Sequence, residues 1–183
     1  GRLVRAIWRY EGRGGTASAL KLMAFLFPRP GELRHARWAE FDFNKAVWII
    51  PAGRMKMRRE HRKPLPPAAL HILLDLRGTN RPEDYVFPAM ANPERPMSEN
   101  TMNGALERLG FPGERMTPHG FRATASTLLN ESGLWNPDAI EAELAHVDTK
   151  GVRSIYNRAR YWVERVEMMN WWTGEVLKHT NGR

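Results

Sequence analysis

In this 183-residue chain Arg29, Lys56, His119, Arg122, His146 and Tyr156 are of types that can bind an anion, move a proton or act as a nucleophile. His119 and Arg122 are three apart on a predicted helix, so both project from one face and can address a single anion. Their place in the first turn strengthens this, because unpaired N–H groups and the helix dipole also favour an anion there. Pairing along a helix surface is the competing reading. Arg29 is pinned between Pro28 and Pro30 at a helix junction. A structural ion pair with Glu32 is its alternative role. Lys56 sits in the densest charge of the chain, where Arg54, Lys56, Arg58, Arg59, Arg62 and Lys63 face only Glu60. If strands alternate there, Arg54, Lys56 and Arg58 share a face, so Lys56 reaches a phosphate or leaving group while its neighbours hold the backbone. A solvated basic turn is the alternative. His146 ends a predicted helix, where simple C-terminal capping competes with a role on a ligand. Tyr156 lies about 90° from the centre of an apolar helical stripe, and Tyr161 lies on the other flank, so only one of them readily faces His119 and Arg122. A packing role is the alternative for either tyrosine.

The elements that must position these residues are mostly helical. Thr16 is the expected N-cap of an apolar helix that Pro28-Arg29-Pro30 stops, and Pro30 opens a second helix through Trp38. Ala46 to Pro51 reads as a strand, and the following segment holds two short strands about a turn near Arg59-Glu60, giving a small antiparallel sheet. Pro66 and Pro67 open a helix through Leu70, Leu73, Leu74 and Leu76, and residues 88–97, with three prolines, read as a loop. Ser98 caps a helix closed by Gly110, Thr117-Pro118 starts a helix ending at Gly133, and Asn136-Pro137 starts another that reaches His146. Val152, Ile155, Ala159, Trp162, Val166 and Met169 form one amphipathic stripe.

Composition narrows the chemistry. The 28 Lys+Arg exceed the 20 Asp+Glu by eight, and 22 of the cations are arginines, whose planar fork suits oxyanions. Five of those eight net charges lie at 54–63. With no cysteine, there is no disulfide, thiolate nucleophile or Cys-bound zinc. Glu131, Glu141 and Glu143 have no two-metal spacing, no phosphate loop occurs, and Ser126, Ser132 and Ser154 lack a nucleophile-elbow setting. No stretch approaches the roughly 18 apolar residues of a membrane helix. A cytoplasmic, nucleoid-associated location is the expectation, with no membrane, metal or cofactor involved. What remains is phosphate chemistry by cations and a tyrosine.

In order, the chain carries Arg29-Pro30-Gly31-Glu32-Leu33-Arg34 with Arg37-Trp38, then Arg54-Met55-Lys56-Met57-Arg58-Arg59, His119-Gly120-Phe121-Arg122, Leu144-Ala145-His146 and Tyr156-Asn157-Arg158. This set resembles the tyrosine recombinases, specifically the catalytic domain of phage-type integrases, and looks most like integrases of prophages and genomic islands. The resemblance implies an α+β, mostly helical fold with a small antiparallel sheet, residues 1–183 being the catalytic part of a longer integrase whose N-terminal DNA-binding domains lie outside it. It implies that Arg29 and Arg122 grip the scissile phosphate, His119 and His146 add hydrogen bonds or proton transfer, and Lys56 protonates the departing 5′ oxygen. Tyr156 attacks to give a 3′-phosphotyrosyl link, and Glu32 orients Arg29 or a neighbour. Arg54, Arg58, Arg59, Arg62 and Lys63 are expected to hold the duplex. The implied partners are double-stranded attachment sites, a homotetramer on DNA and an excision or directionality factor, in integration or excision of a mobile element. Type IB topoisomerase-like relaxation and a noncatalytic DNA-binding module are the alternatives.

Overall fold

The computed structural model describes residues 1–55, 58–146 and 161–180. Its hub is a helix, α2 (Thr16–Leu26), apolar nearly all round, with Ala19, Leu20, Leu22, Met23 and Leu26 fully buried. A helix with no polar face is stable only when surrounded. Here α1 (Arg2–Trp8), α4 (Pro67–Arg77), α5 (Glu99–Arg108) and α8 (Trp162–Lys178) pack around it. Gly15, at φ 75°, takes the N-cap position expected for Thr16, which becomes the first helical residue and donates its hydroxyl to the Arg13 carbonyl. At the other end Phe27 turns left-handed (φ 37°) before Pro28, which cannot continue the helix. The core holds Phe27 in that conformation: its ring is fully buried and meets Trp172 of α8 edge-on at 5.8 Å.

The helix opened by Pro30 is short: α3 (Pro30–Arg34) gives way to a 3-10 turn at Trp38–Glu40. Strands β1 (Phe41–Asp42), β2 (Val47–Ile50) and β3 (His61–Pro64) form an antiparallel sheet in that order. The register pairs Ile50 with His61 and Trp48 with Lys63. Arg54 lies in a 3-10 turn (Ala52–Arg54) rather than in a strand, so the alternation expected to align Arg54 with Arg58 does not apply. Residues 88–97 are not a plain loop: β4 (Pro88–Ala89) and β5 (Asn92–Pro96) pair as a two-stranded ribbon, which tolerates proline because both strands are edges.

Ser98 caps α5 as expected, its hydroxyl accepting from the Asn100 N–H. The following helix, α6 (Gly120–Ser132), begins later than Thr117, whose hydroxyl accepts from the Gly120 N–H. It ends at Gly133 (φ 65°). In α7 (Pro137–Glu143), Asn136 is the cap and Pro137 the first residue. The described half of the long amphipathic stripe is α8, whose buried face runs through Arg165, Met168, Met169, Trp172, Thr173 and Val176, leaving Trp162 and Val166 half-buried on its flank. Each such large apolar side chain contributes about 1.5–3 kcal/mol on burial, which ties α8 to α2. Among the described residues no helix is long and apolar enough to cross a membrane.

Candidate active site

Two of the expected site residues, Arg29 and Arg122, meet at the turn that follows α7. This helix stops at Glu143, short of His146, in a Schellman-type turn. Ala145 is left-handed at φ 51°, its N–H reaches the Ala142 carbonyl, and the His146 N–H reaches back to the Glu141 carbonyl at 3.0 Å. The turn leaves the carbonyls of Glu143, Leu144 and Ala145 without helical donors, and these sit at the negative end of the helix dipole. Each is taken by a cationic or imidazole side chain from a distant part of the chain. The Glu143 carbonyl accepts from Lys63 Nζ at 3.1 Å and contacts His61 Nε2 at 3.2 Å. The Leu144 carbonyl accepts from Arg122 at 2.6 Å, and the Ala145 carbonyl from Arg29 at 3.4 Å.

Arg122 comes from the first turn of α6 and is 4% exposed. One terminal nitrogen of its guanidinium donates to Leu144 and the other to the Phe27 carbonyl at 3.0 Å, which the left-handed turn at Phe27 presents. Burial, and secondly the nearby Arg29 charge, lower its pKa from the ordinary arginine value, against the opposing pull of Glu32 and Glu143. An arginine nonetheless remains charged throughout the working pH range. Arg29 is the N-cap of α3. Its backbone N–H and its guanidinium bond the two oxygens of Glu32, each at 2.8 Å. The ion pair weighed against a site role for Arg29 is therefore present, and it coexists with the reach to Ala145. Glu32 itself is buried, so the pair holds the guanidinium in one direction.

His119 is exposed and immediately precedes α6, and the Arg122 N–H bonds its carbonyl at 3.1 Å. His146 is exposed, its Nδ1 lying 2.7 Å from Glu141 Oε2. It stands outside α7, in place of the helix-end position expected for it. Thus Arg29, Arg122 and His146 are joined through residues 144–146, while His119, expected on the same helix as Arg122, is the residue before α6 and three positions from Arg122. Lys56 and Tyr156 lie outside the described residues. Tyr161 is buried and donates its hydroxyl to Asp138 at 3.3 Å, which commits it to packing.

The basic hairpin divides. Arg58, Arg59 and Arg62 are exposed, and Arg62 also lies over the Trp162 ring. Lys63, grouped with them as a duplex contact, is corrected by the structure: it is 1% exposed and its ammonium ion-pairs with the fully buried Glu143. Strand parity is the reason, since residues 61 and 63 point inward beside Trp48 and Ile50 while 62 points out. Burial lowers the Lys63 pKa, with Glu143 opposing. Arg54 pairs with the buried Glu40 and donates to the Glu32 carbonyl. It lines an open cleft of about 720 Å³ with Arg29, Gly31, Glu32, His35, Arg37 and Tyr85. His35 and Tyr85 were not foreseen as neighbours of Arg29. Arg37, stacked 4.1 Å over Tyr85, was visible only as part of the segment after Arg29.

Comparison with known proteins gives this arrangement a context. Residues 13–162 match the model of the phage integrase family. The prophage integrase IntA of Escherichia coli is 46% identical over 84% of this chain and 37% of its own length. The integrase of Shigella phage Sf6 is 34% identical over 92% of this chain and 43% of its own. The chain therefore spans less than half the length of these relatives. Among solved structures, the integrase of mycobacterium phage Brujita superposes with a TM-score of 0.70 at 14% identity, covering 98% of this chain and 61% of that one. The integrase of transposon Tn1549, solved with a circular intermediate DNA, gives 0.64 at 15%, covering 89% and 62%. These two share the α+β, mostly helical fold. By its sequence over most of its length, the chain belongs to the phage integrase family.

Proposed function

We propose that this chain is the catalytic domain of a site-specific DNA recombinase that cuts and rejoins strands through a 3′-phosphotyrosyl intermediate. The observation that carries the reading is the gathering of Arg29 and Arg122 on the consecutive carbonyls of Ala145 and Leu144, beside His146. Two guanidiniums fixed before substrate arrives can stabilise the charge that develops on a pentacoordinate phosphorus without reorganising. In the cleavage step the Tyr156 oxygen bonds to phosphorus and the bond from phosphorus to the 5′ oxygen breaks. The tyrosine proton passes to His119 or His146, and Lys56 supplies the proton that the 5′ oxygen takes up. The reverse sequence rejoins a strand with no external energy source, because the phosphodiester energy is kept in the covalent link.

Double-stranded attachment sites are the substrate, which accords with the DNA held by the Tn1549 integrase. Arg58, Arg59 and Arg62 contact its backbone. The full-length protein works as a homotetramer on two duplexes in the nucleoid, with an excision or directionality factor setting whether a mobile element leaves or enters. A nicked duplex that loses its cleaved end traps the adduct and tests the reading. The full-length protein forms a covalent complex, Tyr156→Phe does not, and Tyr161→Phe still does. An adduct that persists in Tyr156→Phe overturns the nucleophile, and no adduct at all favours a DNA-binding module. Relaxation of supercoils without exchange between two attachment sites would instead indicate topoisomerase chemistry.

A further inference from the structure

Beneath the turn at 144–146 lies a buried ionic cluster to which the proposed chemistry assigns no part. Glu143, fully buried on α7, pairs through Oε1 with Lys63 of β3 and through Oε2 with Arg165 of α8, whose Nε and a terminal nitrogen lie at 2.8 and 2.7 Å. Arg165 also donates to the Arg62 carbonyl at 2.5 Å, and Lys63 lies over the Phe27 ring at 5.0 Å. The cluster thus bonds the basic hairpin, the end of α7 and the start of α8 to one carboxylate. Lys63 touches Phe27, and Glu143 directly precedes Leu144, the two residues whose carbonyls hold Arg122.

We infer that Glu143 is a positioning residue for phosphate activation: with Lys63 and Arg165 it fixes the 144–146 turn, and the turn aims Arg122 and Arg29. Two buried cations, Lys63 and Arg165, share this one carboxylate, so neutralising it leaves both without a counter-charge in a low-dielectric interior. They then shift or admit water, and the Leu144 and Ala145 carbonyls move with Glu143. A guanidinium displaced by 1 Å loses much of its value to a transition state while the rest of the duplex contact is unaffected. The effect therefore falls on the cleavage rate rather than on DNA affinity.

This inference rests on the recombinase reading, and one experiment separates the two. Single-turnover cleavage of a nicked attachment-site duplex and DNA affinity are measured for the full-length protein and for Glu143→Gln, Lys63→Met and Leu73→Val. The last is a core truncation in α4 that controls for lost stability. Glu143→Gln is expected to cleave at least tenfold more slowly with affinity within twofold, while Leu73→Val cleaves within twofold. Lys63→Met keeps the pairing of Glu143 with Arg165, so it is expected to fold and to lose threefold or more. It carries the test if Glu143→Gln does not fold. In an Arg122→Lys background each substitution is expected to cost less than a further twofold, since the residue through which it acts is already impaired. Cleavage by the variant within twofold of the unaltered protein, or an undiminished loss in the Arg122→Lys background, overturns the inference alone. Absence of any adduct with the unaltered protein overturns the recombinase reading, and the inference with it.

Discussion

Replacing Arg122 by lysine keeps the charge and removes the fork, which makes it the sharpest probe of how this site works. A guanidinium has five N–H donors. Two of them go to the carbonyls of Phe27 and Leu144, so three remain for a bound phosphate. A lysine ammonium has three donors on one atom. If it satisfies both buried carbonyls, a single donor is left for the phosphate; if it turns to the phosphate, a buried carbonyl goes unpaired at a cost of about 1–3 kcal/mol. Either way the two-pronged contact with the transition state is lost. Removing one such preorganised donor set typically slows catalysis by about 10²–10³, or roughly 2.7–4 kcal/mol. Under the recombinase reading, the other cations share the hold on the duplex, so affinity is expected to change by less than about threefold. Rapid-quench measurement of covalent adduct formation at saturating protein reads the rate directly. Cleavage by Arg122→Lys within threefold of the unaltered protein would refute the donor-counting argument and the place given to Arg122.

Three further outcomes follow from the same geometry. Replacing Arg58, Arg59 and Arg62 together by alanine should flatten the plot of log binding constant against log salt by up to about 2.7, at about 0.9 per phosphate contact; an unchanged slope would make this face merely solvated. Lys63→Met should leave that slope alone but lower the melting temperature. Breaking a buried pair whose carboxylate keeps Arg165 costs about 3 kcal/mol, or roughly 6–12 °C in a chain of this size, and a changed slope with unchanged melting would restore Lys63 as a DNA contact. His61 is buried, and burial above all, with Lys63 and Arg165 adding to it, pushes its pKa well below the usual 6.5. The unfolded chain therefore binds a proton there that the folded chain refuses, so stability falls as pH drops below about 6.5, by at most about 1.4 kcal/mol per pH unit until the folded pKa is reached. His61→Gln should remove that part of the acid sensitivity and match the unaltered pH dependence above about pH 7.5; identical denaturation curves at pH 5 would contradict it.

Much of the site was legible because it is written in local patterns. Thr117-Pro118 marks a helix start that puts Arg122 in the first turn, although α6 begins only after His119, and Arg29 is framed by prolines that force a junction, so the places of both arginines on elements could be read from local pattern. The end of α7 was harder, because its Schellman turn uses a left-handed alanine where a glycine would have signalled the stop. Lys63 was misassigned by one step of strand parity: the inward set is His61 and Lys63, and only the pairing with β2 fixes which alternate residues face the core. Its partner Glu143 is 80 residues away, beyond the reach of local spacing. A signal was nonetheless present. Glu143 follows Ala139 and Ile140 at helical steps on a buried face, and Arg165 precedes Met168, Met169 and Trp172 in the same way. A charge on an apolar face calls for a buried partner, and two such charges of opposite sign, with a third on an inward strand position, point to one another.

The proposed cleavage assigns the attack on a DNA phosphate to a single tyrosine, Tyr156, with Arg29 and Arg122 on that phosphate. Digesting the trapped protein–DNA complex and locating the nucleotide-bearing peptide by mass spectrometry tests it directly. A single modified residue, Tyr156, joined to a 3′ phosphate is expected; modification at any other residue, or a 5′ linkage, would contradict the proposed cleavage.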